Sequence, residues 1–134
     1  MANGRPQGHQ RIIPYLFYED VQASLEFLSN AFGFEIRYVH KEPNGRVVHA
    51  QAGFGDAVVM MGPAQAAFGF ASPRKLSALH CGTVVYVDDV DAHCRHARAA
   101  GARIEREPQD QDYGVRECTA RDLEGNQWFF WTPL

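Results

Sequence analysis

The stretch Asp20-Val-Gln-Ala-Ser-Leu-Glu-Phe-Leu-Ser-Asn-Ala-Phe-Gly-Phe34 decides the fold, because it defines a helix together with both of its ends. Asp20 belongs to the residue types that cap helix N-termini, and Gly33 to those on which helices end. Apolar residues between them recur at helical spacing and form one face: Val21, Leu25, Leu28 and Phe32. The stretch therefore predicts an amphipathic helix.

Strand signals surround this helix. Residues 12–18 before it are β-branched and aromatic, which is typical of a strand. After it, residues 34–41 and 46–53 flank an Asn44-Gly45 pair, the signal of a tight hairpin, and residues 57–61 form a further apolar run. The order strand, helix, three strands is a βαβββ module.

The same module is written a second time. Asp20-Val21-x-Ala23 recurs as Asp89-Val90-x-Ala92, and Gly55-Asp56 with a following Pro63 recurs as Gly125-Asn126 with Pro133. Strand signals at residues 83–87, 103–107, 115–120 and 127–131 follow the order of the first half. Because caps, turns and ends agree in order, we predict an α+β fold of two βαβββ modules.

The expected organisation is one domain with a short tail. Residues 1–10 are polar and marked by Gly and Pro, which indicates a flexible tail, and residues 11–134 form the domain. Module 1 spans about 11–62 and module 2 about 81–133. The connector, residues 63–80, carries Phe68 and Phe70 and is long enough to cover a pocket.

Composition narrows the classes of function. The formal net charge is −3, so the composition does not predict the strongly basic surface that binding of nucleic acid requires. No apolar run approaches the ~20 residues that cross a bilayer, and no secretory signal is recognised at the N-terminus. Three cysteines without short spacing, Cys81, Cys94 and Cys118, fit small buried side chains in a reducing compartment. We expect a cytoplasmic protein without nucleic-acid or membrane partners.

Several motifs resemble the vicinal-oxygen-chelate superfamily, which includes glyoxalases, bleomycin-resistance proteins and extradiol dioxygenases. Residues 20–34 resemble its first helix and Tyr86-Val-Asp-Asp-Val-Asp91 its second. Asp122-Leu-Glu-Gly-Asn-Gln-Trp128 is similar to its closing turn and strand, with Leu123 in place of the usual Pro. The resemblance covers about residues 11–133 and implies curved, half-open barrel sheets with helices outside.

The resemblance also places the metal ligands of the metal-dependent members. They fall at Ile13, Val59 or Met60, Gly82 and Phe129, and none of these side chains offers the donors that Zn, Ni or Fe requires. We therefore predict no metal and no other cofactor. An irregular metal site around His49, His80 and Cys81 is the alternative.

Strand alternation selects the side chains of a cavity. If the lost ligand positions point inward, so do residues two positions away, whereas Leu16, Val85, Val87, Trp128 and Phe130 face the helices. Alternation and the resemblance both place Arg116 near the cavity, where it would clamp an anion or else pair with Glu117 or Asp110. His93 and His96 are interpreted as a solvated helix face. The predicted ligand-binding residues are Tyr15, Phe17, His49, Met61, Tyr86, Tyr113, Arg116, Phe129 and Trp131.

Three functions follow from this set. The first is a metal-independent binding protein that sequesters or carries an aromatic or extended organic molecule, as bleomycin-resistance proteins do. The second is a lyase, isomerase or dioxygenase that uses the irregular metal site, and no catalytic residue is assigned to it. The third is a structural dimer whose cavity is filled by its own side chains. A homodimer is expected in each case, because half-open sheets leave edges to cover.

Overall fold

A computed structural model describes residues 4–134. The strands and helices follow one another as β1 (Tyr15–Tyr18), α1 (Val21–Phe32), β2 (Glu35–Lys41), β3 (Val47–Phe54), β4 (Ala57–Pro63), β5 (Thr83–Tyr86), α2 (Val90–Ala99), β6 (Arg103–Asp110), β7 (Val115–Arg121) and β8 (Gln127–Pro133). The α+β class and the two βαβββ modules are therefore confirmed.

The chain divides into two compact units that nearly follow the modules. The first unit contains the chain up to Ser29 together with Gly33–Ser72, and the second contains Asn30–Phe32 together with Pro73–Leu134. Each holds one four-stranded mixed sheet, ordered β1-β4-β3-β2 in the first unit and β5-β8-β7-β6 in the second. The identical order confirms the repeat that the sequence predicts, and neither sheet is closed into a barrel.

The helix ends form as the sequence predicts. The Asp20 carboxylate accepts the N–H of Ala23 at 3.0 Å, and the Asp89 carboxylate accepts the N–H of Ala92 at 3.1 Å. Each bond satisfies a backbone donor that has no partner within the first turn. Gly33 ends α1 with φ of +79°, a left-handed conformation that costs glycine little.

The core of the second unit is aromatic. Trp128 and Phe130 of β8 are fully buried, and the Phe32 ring packs edge-on against Phe130 with centroids 4.9 Å apart. Helix α2 lies on β6, β7 and β8 and buries Val90, Cys94 and Ala97. The predicted core role of Trp128 and Phe130 agrees with this packing.

Some expectations need adjustment. Strand β1 begins at Tyr15 rather than residue 12, and Ile12 is exposed. Of the predicted tail, residues 1–3 lie outside the described part of the chain, and Gln10 donates from its amide to the Val58 carbonyl at 2.6 Å.

Side-chain environments also differ from expectation at two places. All three cysteines are free, but only Cys94 and Cys118 are buried, while Cys81 is exposed. His93 is not on a solvated face, because its ring lies 4.1 Å from that of Phe130, and burial lowers its pKa to about 4. Within residues 4–134, no helix is both long and apolar enough to span a membrane.

Candidate functional site

On one face of the first sheet, aromatic and polar side chains that could contact a ligand lie next to one another. Strand register aligns Tyr38 with Gln51, Gln51 with Met60, and Met60 with Tyr15, so these four side chains form a row across the sheet. Residues in register on neighbouring strands point to the same face. His49, two residues before Gln51, and Phe17, two residues after Tyr15, therefore extend the row on that face.

A polar network joins three of these side chains. The Tyr15 hydroxyl lies 3.0 Å from His49 Nδ1, and the Gln51 side-chain nitrogen lies 3.2 Å from His49 Nε2. Burial, followed by the charge of His40, holds the pKa of His49 below its ordinary value, so the imidazole is neutral near pH 7. A neutral ring that accepts from Gln51 carries its proton on Nδ1 and donates to Tyr15, which leaves the phenolic O–H free to donate to a ligand.

An open cavity adjoins this network. Phe17 stacks on Phe70 of the connector, with ring centroids 4.1 Å apart and planes 11° from parallel. The cavity, called here the first-unit cavity, has a volume of about 600 Å³. Its wall consists of Tyr15, Phe17, Glu42, Arg46, Val48, Gly62, Pro63, Gln65 and Phe70. The predicted role of the connector at a pocket thus has a specific residue, Phe70.

Glycine at position 62 gives Tyr15 its place on the cavity wall. A Cβ at Gly62 would lie 2.5 Å from the Tyr15 hydroxyl oxygen, well inside van der Waals contact. The aromatic ring therefore lies directly over the bare backbone of β4. The second unit repeats this device, because the Phe129 ring occupies the space that a Cβ at Gly82 would take.

The corresponding surface of the second sheet is called here the second-unit face and is built around Trp131. Register aligns Tyr86 with Trp131 and Trp131 with Glu117. The Trp131 ring lies 5.8 Å from that of Tyr86 and 5.7 Å from that of Tyr113. The second-unit face comprises Tyr86, Tyr113, Glu117, Thr119, Phe129 and Trp131.

Sequence reasoning missed two polar residues on this face. Glu117 is 5% exposed, and its carboxylate accepts from Trp131 Nε1 at 2.5 Å and from the Tyr113 hydroxyl at 3.1 Å. Thr119 is 1% exposed and lies opposite Phe129. Alternation from Trp131 across to β7 would have found both, but only with the register of the β7–β8 pair in hand.

For two predicted ligand-binding residues, Met61 and Arg116, the side chain points to the face of the sheet opposite to the one predicted. Met61 is fully buried and is in register with Leu16 and Ala50, so Met60 takes the position assigned to it. Arg116 alternates with Glu117 and points away from Trp131. Its guanidinium binds both Asp91 oxygens, at 3.0 and 3.1 Å, and Asp110 at 2.9 Å.

The Arg116 ion pairs have a structural role. The Asp91 and Asp110 carboxylates raise the pKa of Arg116 and keep it charged, and they tie the first turn of α2 to β7 and the end of β6. Because the guanidinium is already paired with two carboxylates, it has no free pair of N–H groups for bidentate binding of an anionic ligand. The alternative of a paired strand arginine is therefore right, with Asp91 as a partner that the sequence did not indicate.

The residues at the family's metal-ligand positions do not fit a metal. Gly82 has no side chain, Phe129 is a hydrocarbon, and Met60 supplies only a thioether to the first sheet's face. Throughout residues 4–134, no group of three or more His, Cys, Asp or Glu side chains is arranged to hold a metal ion. The irregular site around His49, His80 and Cys81 finds no support in this geometry.

Comparison with known proteins identifies the family. A family model described as the Glyoxalase/Bleomycin resistance protein/Dioxygenase superfamily matches residues 9–130. The chain belongs to this superfamily, as its motifs predict.

Individual relatives are distant. An uncharacterised protein of Mycobacterium tuberculosis is 27% identical over 125 residues, which cover 90% of this chain and 73% of the relative. Among solved structures, TioX from Micromonospora sp. ML1 is 29% identical with a TM-score of 0.71, covering 93% of this chain and 97% of TioX. TnmS3, an antibiotic-binding protein from Streptomyces sp. CB03234, is 18% identical with a TM-score of 0.68, covering 94% of this chain and all of TnmS3 (100%). The last of these likenesses concerns the fold alone.

Proposed function

We propose that this protein binds a small planar or extended organic molecule without the help of a metal ion. The first-unit cavity carries the proposal. Its volume of about 600 Å³ falls within the range of small-molecule sites, and the Phe17–Phe70 pair gives it a flat aromatic wall. A structural protein whose cavity is filled by its own side chains would not keep such a space open.

The chemistry of the wall suggests how a ligand is held. Aromatic faces bind flat molecules by burial and stacking with little loss of side-chain entropy. The Tyr15 hydroxyl, oriented by His49, supplies a directional donor, while Glu42 and Arg46 supply charges of both signs. A ring stacked on Phe17 with an acceptor near Tyr15 would use both kinds of contact.

Two further observations support binding rather than catalysis. The fold is also that of TnmS3, whose function as an antibiotic-binding protein shows that the architecture can hold an organic molecule. At the positions of the superfamily's metal ligands, Gly82, Phe129 and Met60 offer no suitable donors, which argues against a metal-dependent reaction. Sequestration or carriage is the function we propose, and the homodimer and the cytoplasmic location stay predictions.

A neutral planar probe, 4-methylquinoline, tests this proposal in an NMR titration. We expect Phe17→Ala to weaken binding by about tenfold or more, because about 1.4 kcal/mol of ring contact corresponds to a factor of ten. Phe68→Ala removes the same side chain from an exposed position outside the cavity wall and should leave the affinity unchanged. Equal affinities of the wild type and Phe17→Ala, with both proteins folded, would contradict the assignment of the cavity.

A further inference from the structure

The second-unit face holds a carboxylate in an unusual setting. Glu117 is 5% exposed, and its two oxygens accept from the neutral donors of Trp131 and Tyr113. Among the residues that the structure describes, no Lys or Arg side chain forms an ion pair with it. A buried charge normally has a charged partner, because desolvation costs several kcal/mol.

The neighbouring cation does not fill this role. Arg106 lies across the sheet from Thr119 but is exposed, so solvent screens its charge. Each Glu117 oxygen has accepted one hydrogen bond and retains capacity for another. The geometry therefore leaves a negative charge that a bound molecule can neutralise.

Aromatic side chains lie on the same face as this carboxylate: Trp131 and Tyr113 donate to it, and Tyr86 packs on Trp131. Tyr86 meets Trp131 edge to face at 5.8 Å, and Tyr113 is tilted against Trp131 at 5.7 Å. Tyr86 and Tyr113 are 60% and 54% exposed, so their rings are open to an incoming molecule. Exposed electron-rich rings near a carboxylate attract organic cations, through the ring faces and through the opposite charge.

A second, independent observation points to a ligand. The Thr119 hydroxyl is 1% exposed and has no hydrogen-bond partner among the described residues. Thr119 follows Glu117 by two residues on β7, so its side chain lies on the same face. A buried hydroxyl without a partner is destabilising, and a polar ligand atom on this face would satisfy it.

We infer that the second-unit face binds the cationic group of an organic amine or quaternary ammonium compound. Glu117 supplies the opposite charge, Tyr86, Tyr113 and Trp131 supply the ring faces, and Thr119 supplies a hydrogen bond to a neighbouring polar atom. The inference rests on the proposed small-molecule-binding function, but on none of the residues of the first-unit cavity.

Two isosteric probes separate charge from shape. N-methylquinolinium carries a permanent positive charge, whereas 4-methylquinoline is neutral at about pH 8. The chain has two tryptophans, so the indole N–H signal of Trp131 is one of only two in an ¹H–¹⁵N NMR spectrum and reports directly on this face. We expect the cation to shift the Trp131 signal with at least about tenfold higher affinity than the neutral probe.

Charge substitutions assign the effect to one residue. Glu117→Gln keeps the shape of the side chain, and its amide oxygen can accept from Trp131 while its amide N–H donates to the Tyr113 hydroxyl. The loss of the charge should abolish the preference for the cation. Glu107→Gln makes the same change in net charge at an exposed residue paired with Arg98, and should keep the preference. Tyr86→Ala changes an exposed residue of the second-unit face, so the variant should fold normally. It should lower the affinity for the cation several-fold more than the affinity for the neutral probe.

The outcomes are distinguishable. The inference is overturned if both probes shift Trp131 with equal affinity, if folded Glu117→Gln keeps the preference, or if neither probe moves the signal. Should Glu117→Gln fail to fold, an unchanged preference in Tyr86→Ala overturns the inference. In each case, Phe17-dependent binding of 4-methylquinoline would still uphold the proposed function, and its loss would remove that function separately.

Discussion

Replacing Trp128 with alanine is expected to lower the free energy of unfolding by about 3–5 kcal/mol, the range for deleting a large buried aromatic ring. Trp128 is fully buried, its ring lies 5.9 Å from that of Phe32, and its Nε1 donates to Asp122 at 3.0 Å. The substitution therefore opens a cavity and leaves a buried carboxylate oxygen short of a donor. Urea denaturation measures the loss through the shift of the unfolding midpoint.

Trp131 provides the matched comparison. It lies three residues further along the same strand but on the second-unit face, where it is only partly buried. Trp131→Ala should therefore cost less than half as much stability as Trp128→Ala. Equal losses would mean that the second-unit face is packed core, and the case for an open binding surface there would fail.

Asp122→Ala is expected to be nearly as damaging, with a loss of about 3 kcal/mol or more. One oxygen of this buried carboxylate accepts the backbone N–H groups of Glu124, Gly125 and Asn126, at 3.2, 3.1 and 2.9 Å, and the other accepts from Trp128. Each donor that loses its acceptor in the interior costs about 1–3 kcal/mol. Thermal or urea unfolding of the purified variant gives the loss.

Asp112→Ala is the control for Asp122→Ala. Asp112 is an exposed residue in the turn before β7, so its removal should change stability by less than about 0.5 kcal/mol. If both substitutions changed the free energy of unfolding by similarly small amounts, contacts other than the Asp122 hydrogen bonds would hold the turn before β8.

The fold was predictable because its signals are local and are repeated. Helix caps at Asp20 and Asp89 depend on neighbouring residues only, and both form. The two faces of β8 were also predictable, because Trp128 and Phe130 alternate with Phe129 and Trp131 in one uninterrupted strand. Once one residue of such a strand is assigned to a face of the sheet, alternation assigns the faces of all the others.

The site was less predictable because it depends on register between strands. A shift of one residue exchanges the two faces, which is how Met61 took the place of Met60. Arg116 was misplaced for a related reason, since its partner Asp91 lies 25 residues away on α2. Glu117 can be recognised as a site residue only from its hydrogen bonds to Trp131 and Tyr113. The fold brings these side chains together, and no sequence motif indicates it.

The central claim is that binding needs no metal, and one measurement tests it directly. The protein is purified without a metal-affinity tag, its metal content is determined, and 4-methylquinoline is titrated before and after treatment with EDTA. We predict far less than one equivalent of transition metal per chain and the same affinity in both titrations, because no group of three or more His, Cys, Asp or Glu side chains within residues 4–134 is arranged to hold a metal ion. About one equivalent of Zn, Ni, Mn or Fe per chain, with binding lost when it is removed, would contradict the account.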